Sequence, residues 1–352
     1  MTEVWRIASL VFEHMVLELE LAPISGAMAL ITADAGRSLS QTDLTHGPTR
    51  IELIDLPPLT ESAPRETTLA VAAAGELPGW RRAALLASTD GGESWEDAGQ
   101  TAAPAIIGAA VTVLGSASAN LFDQQNFVDV RLLHAAMQLS DADTLRLLAG
   151  ANRAMIGKEL IQFGQAEPRG GDVWRLSNLL RGRRGTEGAI TGHMVGDRFV
   201  LLESESLALL DPRFAVPGVS VMAVGIADDL SPPVVTTTPI GSALTPLSPV
   251  HPGLSREPSG DTVISWTRRS REGWAWRDGV DAPMSEETES YRIELTPLGG
   301  STRTFTETLP QFVYLASDRS ADQLAGAMVT TVSISQVGQH CVSAPLTLTI
   351  TL

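Results

Sequence analysis

The chain has 352 residues, of which 43% are hydrophobic, enough for two or three domains with proper cores and too apolar for a disordered acidic segment. Its 25 Lys and Arg stand against 41 Asp and Glu, a net charge of −16, which disfavours sequence-independent binding to a phosphate backbone. The single cysteine, Cys341, excludes an intrachain disulfide and a cysteine-based metal cluster and fits a reducing compartment.

At the N-terminus, Val16–Leu21 alternates like a strand, while Ile7–Met15 reads equally well as a short helix. Glu3, Glu13, Glu18 and Glu20 break the pattern of a signal peptide. No run approaches the roughly 20 apolar residues of a membrane span, so a soluble chain without a secretion signal is expected. Strand candidates "AMALIT" and "TRIELIDL" follow, and a break is expected at Pro57–Pro64.

Beyond that break come "TLAVAAAG", "RRAALLAST", "AIIGAAVTVLG", "NFVDVRLL", "ELIQFGQAE", "VWRLSNLL", "RFVLLES" and "VSVMAVGI". These short apolar runs, separated by Gly or Pro, have the rhythm of a β domain. One helix interrupts them: Ser140 and Asp143 make a capping pattern before "TLRLLAG", with Gly150 placed to end it. Leu145 and Leu148 would share the face that covers a sheet. The Pro-, Thr- and Ser-rich stretch from Asp228 to Gly253 reads as a stiff linker.

The C-terminal segment is the size of one small sandwich, with strand candidates from "DTVISWTRR" to "APLTLTITL". Trp266 stands where the buried Trp of a second strand belongs, and the order fits a fibronectin type III or immunoglobulin-like domain. Met328 or Val329 falls where such domains often carry a Tyr. The expected fold class is mainly β and multidomain. It comprises a strand-rich segment 1–60, a β-rich domain 61–230 with one short helix, a linker 231–250 and a fibronectin III/Ig-like sandwich 251–352.

Catalytic signals are sparse. His14, His46, His134, His193, His251 and His340 show no metal-ligand spacing, and no nucleophile elbow or phosphate-cradling loop is present. The expectation is therefore no catalytic residue, no metal and no cofactor. Cys341 reads as an ordinary sandwich residue. "STDGGESW" fits an Asp-box hairpin, similar to the repeat of sialidase propellers, in which Ser88 and Asp90 bond the loop backbone, Gly91 and Gly92 permit the bend and Trp95 packs beneath. A propeller would repeat the box, and here it occurs once. An Asp-box glycan hydrolase is thus the weakest functional reading.

Trp274, Trp276 and Arg277 lie in an expected loop between sandwich strands and could form a sugar-stacking or protein-contact surface. The favoured alternative is that one or both Trp residues cap the sandwich end or pack on a neighbouring subunit. Arg181, Gly182, Arg183, Arg184 and Gly185 form a Gly–Arg knot after an apolar strand. Phosphate binding, pairing with carboxylates of the same fold, and a grip on a neighbouring subunit are the three readings. With so many carboxylates in the chain, internal pairing of planar guanidinium groups is favoured, and the glycines suggest positive φ and close backbone approach.

"LLAGANRAMIGKELIQFGQAE" followed by "VWRLSNLLRGRRGTE" resembles the C-terminal part of the large baseplate hub proteins of siphophage tails and gene transfer agents, the multidomain "megatron" or host-specificity tail proteins. "RIELIDLPPL", "VAAAGELPGW", "LLASTDGGESWED", "PLSPVHPG", "ISWTRRSREGW" and "SISQVG" extend the likeness from about Arg50 to the end. Members of that family are far longer, with upstream hub domains and a glycosidase-like barrel, so no hydrolase activity carries over. The resemblance implies a non-enzymatic structural protein of the virion tail tip, made in the bacterial host cytoplasm and acting in tail assembly, host attachment and genome delivery. It implies other tail and baseplate proteins as partners, a homotrimer around the tail axis, and contact with a host-surface glycan or receptor. It also implies that residues 1–60 complete a hub domain with another chain. The alternative is a carbohydrate-binding protein that uses the Trp274/Trp276 loop.

Overall fold

The computed structural model describes residues 5–23, 44–228, 230–274 and 279–352. The strand candidate "AMALIT" (27–32) and the site candidates Trp276 and Arg277 lie outside the described residues. The fold is mainly β. Two compact units are distinguished, Met1–Asp43 and Leu44–Leu352.

In the first unit, β1 (Trp5–Glu13) and β2 (Val16–Pro23) form an antiparallel hairpin. The alternative of a helix over Ile7–Met15 is overturned. The pairing closes through His14 and Met15, both at positive φ (49° and 64°), the backbone of a two-residue hairpin turn whose twist matches its strands. Neither residue is the Gly or Asn that advertises such a turn, so the sequence hides it.

The second unit begins with β3 (Thr49–Asp55), β4 (Leu69–Gly75), β5 (Ala84–Ser88) and β6 (Glu96–Gln100). The chain then departs into β7 (Ile107–Ala110), β8 (Val128–Leu132), helix α1 (Thr144–Leu148), β9 (Arg153–Ile156), β10 (Glu159–Gly170), β11 (Val173–Leu180) and β12 (Arg198–Leu201). It returns through β13 (Leu207–Leu209), β14 (Val219–Val224) and β15 (Val234–Thr237). Strands β7 to β12 close a barrel in the order β10-β11-β8-β7-β12-β9. The flanking strands make two facing sheets, β13-β4-β3 and β15-β14-β5-β6.

The expected single domain 61–230 is therefore a sandwich interrupted by a barrel. The expected break at Pro57–Pro64 is a loop inside one sheet, because β3 and β4 pair on either side of it from Thr49–Gly75 to Asp55–Leu69.

Strand β4 explains how the two bodies join. It is buried along its whole length. Leu69, Val71 and Ala73 enter the sandwich core with Leu85, Val219, Val221 and Phe214. Ala70, Ala72 and Ala74 face the barrel core of Val128, Ile156, Phe163, Leu179 and Phe199. Alanine on that face lets a sheet approach a barrel closely while still excluding water.

Helix α1 corrects two expectations. Asp143, not Ser140, is the N-cap: its carboxylate accepts from the Arg146 amide at 2.8 Å. The helix starts one turn later than the capping pattern implied. Leu145 and Leu148 are exposed, and Leu147 is the residue buried beneath. Gly150 does follow the helix, at φ +94°, as a left-handed terminator should.

The stretch 231–250, expected as a linker, is fixed instead. Val234–Thr237 adds an edge strand to β14, the Asp55 carboxylate accepts from the amides of Ile240 and Ser242, and Ala243, Leu244 and Leu247 are buried. Its prolines flank that strand and leave the ladder intact.

The C-terminal sandwich contains β16 (Val250–Arg256), β17 (Thr262–Thr267), β18 (Tyr291–Pro297), β19 (Arg303–Glu307), β20 (Gln311–Tyr314), helix α2 (Ala316–Leu324), β21 (Val329–Gln336) and β22 (Leu346–Thr351). A sheet of order β16-β17-β20 faces one of order β19-β18-β21-β22, the strand arrangement of a fibronectin III-like sandwich. Trp266 of β17 packs edge-on against Tyr291 at 5.0 Å between centroids, as expected of a second-strand Trp. Met328 is exposed. Two other phenols are buried in this sandwich: Tyr291, whose hydroxyl donates to Glu289 at 2.7 Å, and Tyr314, whose hydroxyl donates to Asp322 of α2. Cys341 sits between β21 and β22, outside both strands, with Sγ 3.7 Å from the Ile240 carbonyl. No helix among the described residues is long and apolar enough to cross a membrane.

Candidate functional site

The Gly–Arg knot separates into three different environments. Arg181, one residue past β11, is fully buried. Its Nε and Nη2 donate to the two oxygens of Glu159 at 3.0 and 2.9 Å, a bidentate pair. Nη1 donates to Asp123 Oδ2 at 2.9 Å and to the Gly115 carbonyl at 2.8 Å. A buried guanidinium is tolerated only when its desolvation is offset by such partners.

Glu159 opens β10 and is itself fully buried. It also accepts from the Gly182 amide at 2.6 Å and lies 2.7 Å from His193 Nε2. His193 Nδ1 is 2.9 Å from Asp197 Oδ2. With a carboxylate on each side, both ring nitrogens must donate, so the ring is assigned as imidazolium. Its pKa is raised, first by the bond to Glu159 and then by Asp197, against the opposing pull of burial. Burial pushes the Glu159 carboxyl up, but the bonds from His193, Arg181 and Gly182 outweigh it and hold it below its ordinary value. Asp123 is likewise held low against burial, by the Asn126 amide and side chain and by Arg181.

The backbone makes this closure possible. Gly182 takes φ +55°, and a Cβ there would lie 2.9 Å from Glu187 Cα. The network thus ties together the start of β10, the end of β11, the 115–123 loop and the 193–197 turn. Chemically it is saturated. The guanidinium has no acceptor, and neither imidazole nitrogen keeps a free lone pair with which to take a proton.

Arg183 is half-buried and donates to Gln162 Oε1 at 3.2 Å, and burial depresses its pKa. Arg184 adopts φ +57° and lays its guanidinium 4.1 Å from the centroid of Trp274. Burial, with Arg153 nearby, lowers its pKa to about 10. That stack belongs to a junction between the barrel turn and the C-terminal sandwich. Arg269 pairs with Glu187 at 2.7 Å. Arg271 pairs with Glu286 at 2.8 Å and donates to the Ala243 carbonyl at 2.8 Å. The amides of Gly273 and Trp274 donate to Glu61, at 2.9 and 3.1 Å. Of the proposed contact residues, then, Trp274 has one face covered by Arg184 and its backbone held by Glu61.

The Asp-box residues form the β5–β6 hairpin. Ser88 Oγ donates to Asp90 at 2.7 Å and accepts from the Gly92 amide at 2.8 Å. The Asp90 carboxylate takes the Ser94 amide and hydroxyl, and those bonds, the Ser94 hydroxyl first, hold its pKa far below the carboxylate range. Trp95 is half-buried beside Gly92.

A cleft of about 950 Å³ lies elsewhere, beside the 184–198 turns, lined by Lys158, Arg184, His193, Asp197, Arg198 and Thr237 among others. No Phe, Tyr or Trp among the described residues lines it. No group of three His, Cys, Asp or Glu among the described residues is arranged to hold a metal ion.

Residues 105–200 match a protein-family model described as "Rcc01698-like, C-terminal". The match begins just before β7 and stops inside β12, so its limits are those of the closed barrel. No curated protein matches the chain. Among solved structures, the chain is similar to domains d3–d4 of the rat CD45 extracellular region, at 12% identity over 39% of this chain and 65% of that one, TM-score 0.21. It is similar to a two-domain fibronectin type III segment of chicken tenascin, at 11% identity over 69% and 99%, TM-score 0.22. It is also similar to the FN1–FN3 domains of chicken CNTN1, at 12% identity over 87% and 97%, TM-score 0.21. The chain thus spans less than two thirds of the CD45 segment. The fibronectin III-like character of the C-terminal sandwich lies in its strand order, β16-β17-β20 facing β19-β18-β21-β22.

Sequence reasoning found Arg181 and missed its partners. One signal was available for Glu159: a carboxylate inside the apolar run "IGKELIQFG" must be paired if that run is a buried strand. His193 and Asp197 lie in a Gly-rich turn with no periodicity, and Asp123 lies in a loop. Only the barrel's closure gathers them.

Proposed function

We propose that this chain is a structural, non-enzymatic component of a siphophage-like tail tip or baseplate, acting in tail assembly, host attachment and genome delivery. The observation that carries the reading is the family match over residues 105–200, whose name is associated with gene transfer agents and whose extent is that of the barrel. The saturated network supports it. Arg181, Glu159 and His193 spend their hydrogen bonds within the network, Arg181 and His193 meeting on Glu159 and reaching out to Asp123, Gly115 and Asp197, which suits a rigid building block. The docked junction supports it too, since Trp274 and Arg271 hold the C-terminal sandwich against the body.

On this reading the partners are other tail and baseplate proteins, with three copies of this chain around the tail axis. Its place is the virion tail tip, after synthesis in the bacterial host cytoplasm. Contact with a host glycan or receptor would come from the C-terminal sandwich. The test is quantitative peptide mass spectrometry on density-purified particles, measured against the main tail-tube protein. A low fixed ratio of a few copies per particle is expected. Recovery solely in the soluble fraction would overturn the assignment.

A further inference from the structure

The cleft beside the 184–198 turns is cationic in a chain whose net charge is −16. Most of its charged side chains are already committed. Asp55 accepts from the amides of Ile240 and Ser242 at 2.8 and 3.1 Å. Asp197 lies 2.9 Å from His193 Nδ1 and accepts from the Met194 amide at 3.1 Å. His193 is spent between Asp197 and Glu159, and Arg198 donates to the Gly157 and Leu53 carbonyls at 3.2 and 2.6 Å. Lys158 and Arg184 remain. Lys158, exposed in the β9–β10 turn, makes no ion pair or hydrogen bond among the described residues. Arg184 has the Trp274 ring and one 3.5 Å contact to the Thr60 carbonyl, with no carboxylate at ion-pair distance among the described residues.

We propose that this cleft binds a compact phosphate-bearing ligand, with Lys158 and Arg184 as its charged contacts. Donor balance selects that chemistry. An ammonium and a guanidinium carry donors and no acceptor. The hydroxyls of Thr191, Thr237, Thr238 and Ser242 also line the cleft; they hydrogen-bond no other described residue and are able to turn and donate. With both carboxylates spent, the cleft calls for a ligand rich in acceptors and poor in donors. A phosphate group is that, with several strong acceptor oxygens. A peptide would bring an amide donor with nearly every carbonyl and find no free carboxylate to receive it.

Size and the state of Arg184 point the same way. The volume of about 950 Å³ falls within the roughly 300–1,000 Å³ of small-ligand sites. Arg184 holds a left-handed backbone, φ +57°, a conformation that collects at ligand sites and is kept only where its surroundings enforce it. Burial and the neighbouring Arg153 and Arg183 oppose its charge, and Glu61 offsets them only in part. A bound anion would relieve that opposition. The overall negative charge repels long polyanions such as nucleic acid and leaves a small phosphate free to enter. The inference does not depend on the tail-tip assignment.

The experiment is isothermal titration calorimetry of the full chain at low ionic strength with inorganic phosphate, pyrophosphate and glycerol 3-phosphate. Saturable binding of one ligand per chain is expected, weakening as salt rises. Tighter binding of pyrophosphate would mark a free polyphosphate as the ligand, and tighter binding of glycerol 3-phosphate a phosphate carried on an organic body. Lys158→Gln should weaken binding roughly 10-fold, the loss of one charge-assisted hydrogen bond, and Arg184→Gln at least as much. Because Lys158 is exposed, its variant should keep the parent's thermal transition, so it decides the matter even if Arg184→Gln folds poorly. Arg82→Gln, an exposed cation outside the cleft, should bind like the parent. Three results would overturn the proposal: no binding of any of the three ligands at millimolar concentration, binding unchanged by Lys158→Gln, or binding weakened equally by Arg82→Gln.

Discussion

Arg181 and Glu159 meet through two parallel hydrogen bonds, 3.0 and 2.9 Å long, at a point where neither side chain reaches solvent. Asp123, the Gly182 amide and His193 attach to one or other of them, and Asp197 joins through His193. The pair is therefore the place where the barrel is easiest to break.

Removing one partner of such a pair strands the other charge in the interior, a loss of about 3–5 kcal/mol. Arg181→Met is expected to destabilise the chain by that amount, and Glu159→Gln by a comparable one. Urea unfolding followed by circular dichroism checks this. A loss below about 1 kcal/mol for Arg181→Met would mean that the pair does not hold the barrel together.

The network also sets a pH window. His193 has a raised pKa, so its contribution is complete below the ordinary value of 6.5 and is lost as pH rises through the raised value. Glu159 and Asp123 have lowered pKa values. Their contributions are complete above the ordinary 4.5 and 3.8 and are lost as pH falls through the lowered values. Thermal stability should therefore peak between about pH 4.5 and 6.5 and fall on both sides. His193→Gln should flatten the alkaline limb and also shrink the acid limb, because the His193 bond is the first of those that hold Glu159 low. A melting temperature measured across pH for both proteins decides it.

The Arg184–Trp274 stack predicts energetic coupling between the barrel turn and the C-terminal sandwich. A double-mutant cycle of Arg184→Ala and Trp274→Ala should give an interaction of about 0.5–1 kcal/mol, the range for a cation–π contact that is only partly desolvated. Additive effects would show that the two residues are neighbours without being partners. Arg183→Ala, which loses one bond to Gln162, should cost less than Arg181→Met.

Gly182→Ala tests the backbone that lets the network close. The residue combines φ +55° with an approach of 2.9 Å to Glu187 Cα, so a methyl group is opposed by both conformation and space. A loss of about 1–3 kcal/mol is expected, read by the same denaturant titration. Gly192, also at positive φ but with open space around its Cβ position, is the control and should lose less.

Asp90→Ala should loosen the β5–β6 turn without disturbing the sandwich core. The expected signature is faster amide exchange at Ser94, which bonds the Asp90 carboxylate, and at Gly92 through Ser88, with little change in the thermal transition. A global loss of stability would show that the box does more than shape a hairpin.

Much of the fold was legible in local chemistry. Apolar runs bounded by Gly and Pro marked most strands, and the Asp-box marked the β5–β6 turn. "DTVISWTRR" placed Trp266 in a second sandwich strand, and the crowding of arginine in an acidic chain pointed to carboxylate partners for Arg181. These features depend on residues close in sequence or on the overall charge balance, which a linear reading can weigh. Strand β16 escaped because Pro252 and the positive φ of His251 disguise an edge strand as linker. The β1–β2 turn escaped because it lacks glycine.

What only the tertiary structure decided were the long-range closures. The barrel is inserted into a sandwich whose halves are separated by about a hundred residues of chain, and β4 joins them through an alanine face that looks unremarkable in one dimension. Glu159, His193 and Asp123 become one network with Arg181 because barrel closure removes water from all four together, and desolvated charges must find one another, with the partly exposed Asp197 joining through His193. Trp274 passed from a candidate contact residue to a partner of Arg184 for the same reason. Sequence spacing sets which side chains are available, whereas burial decides which of them must pair.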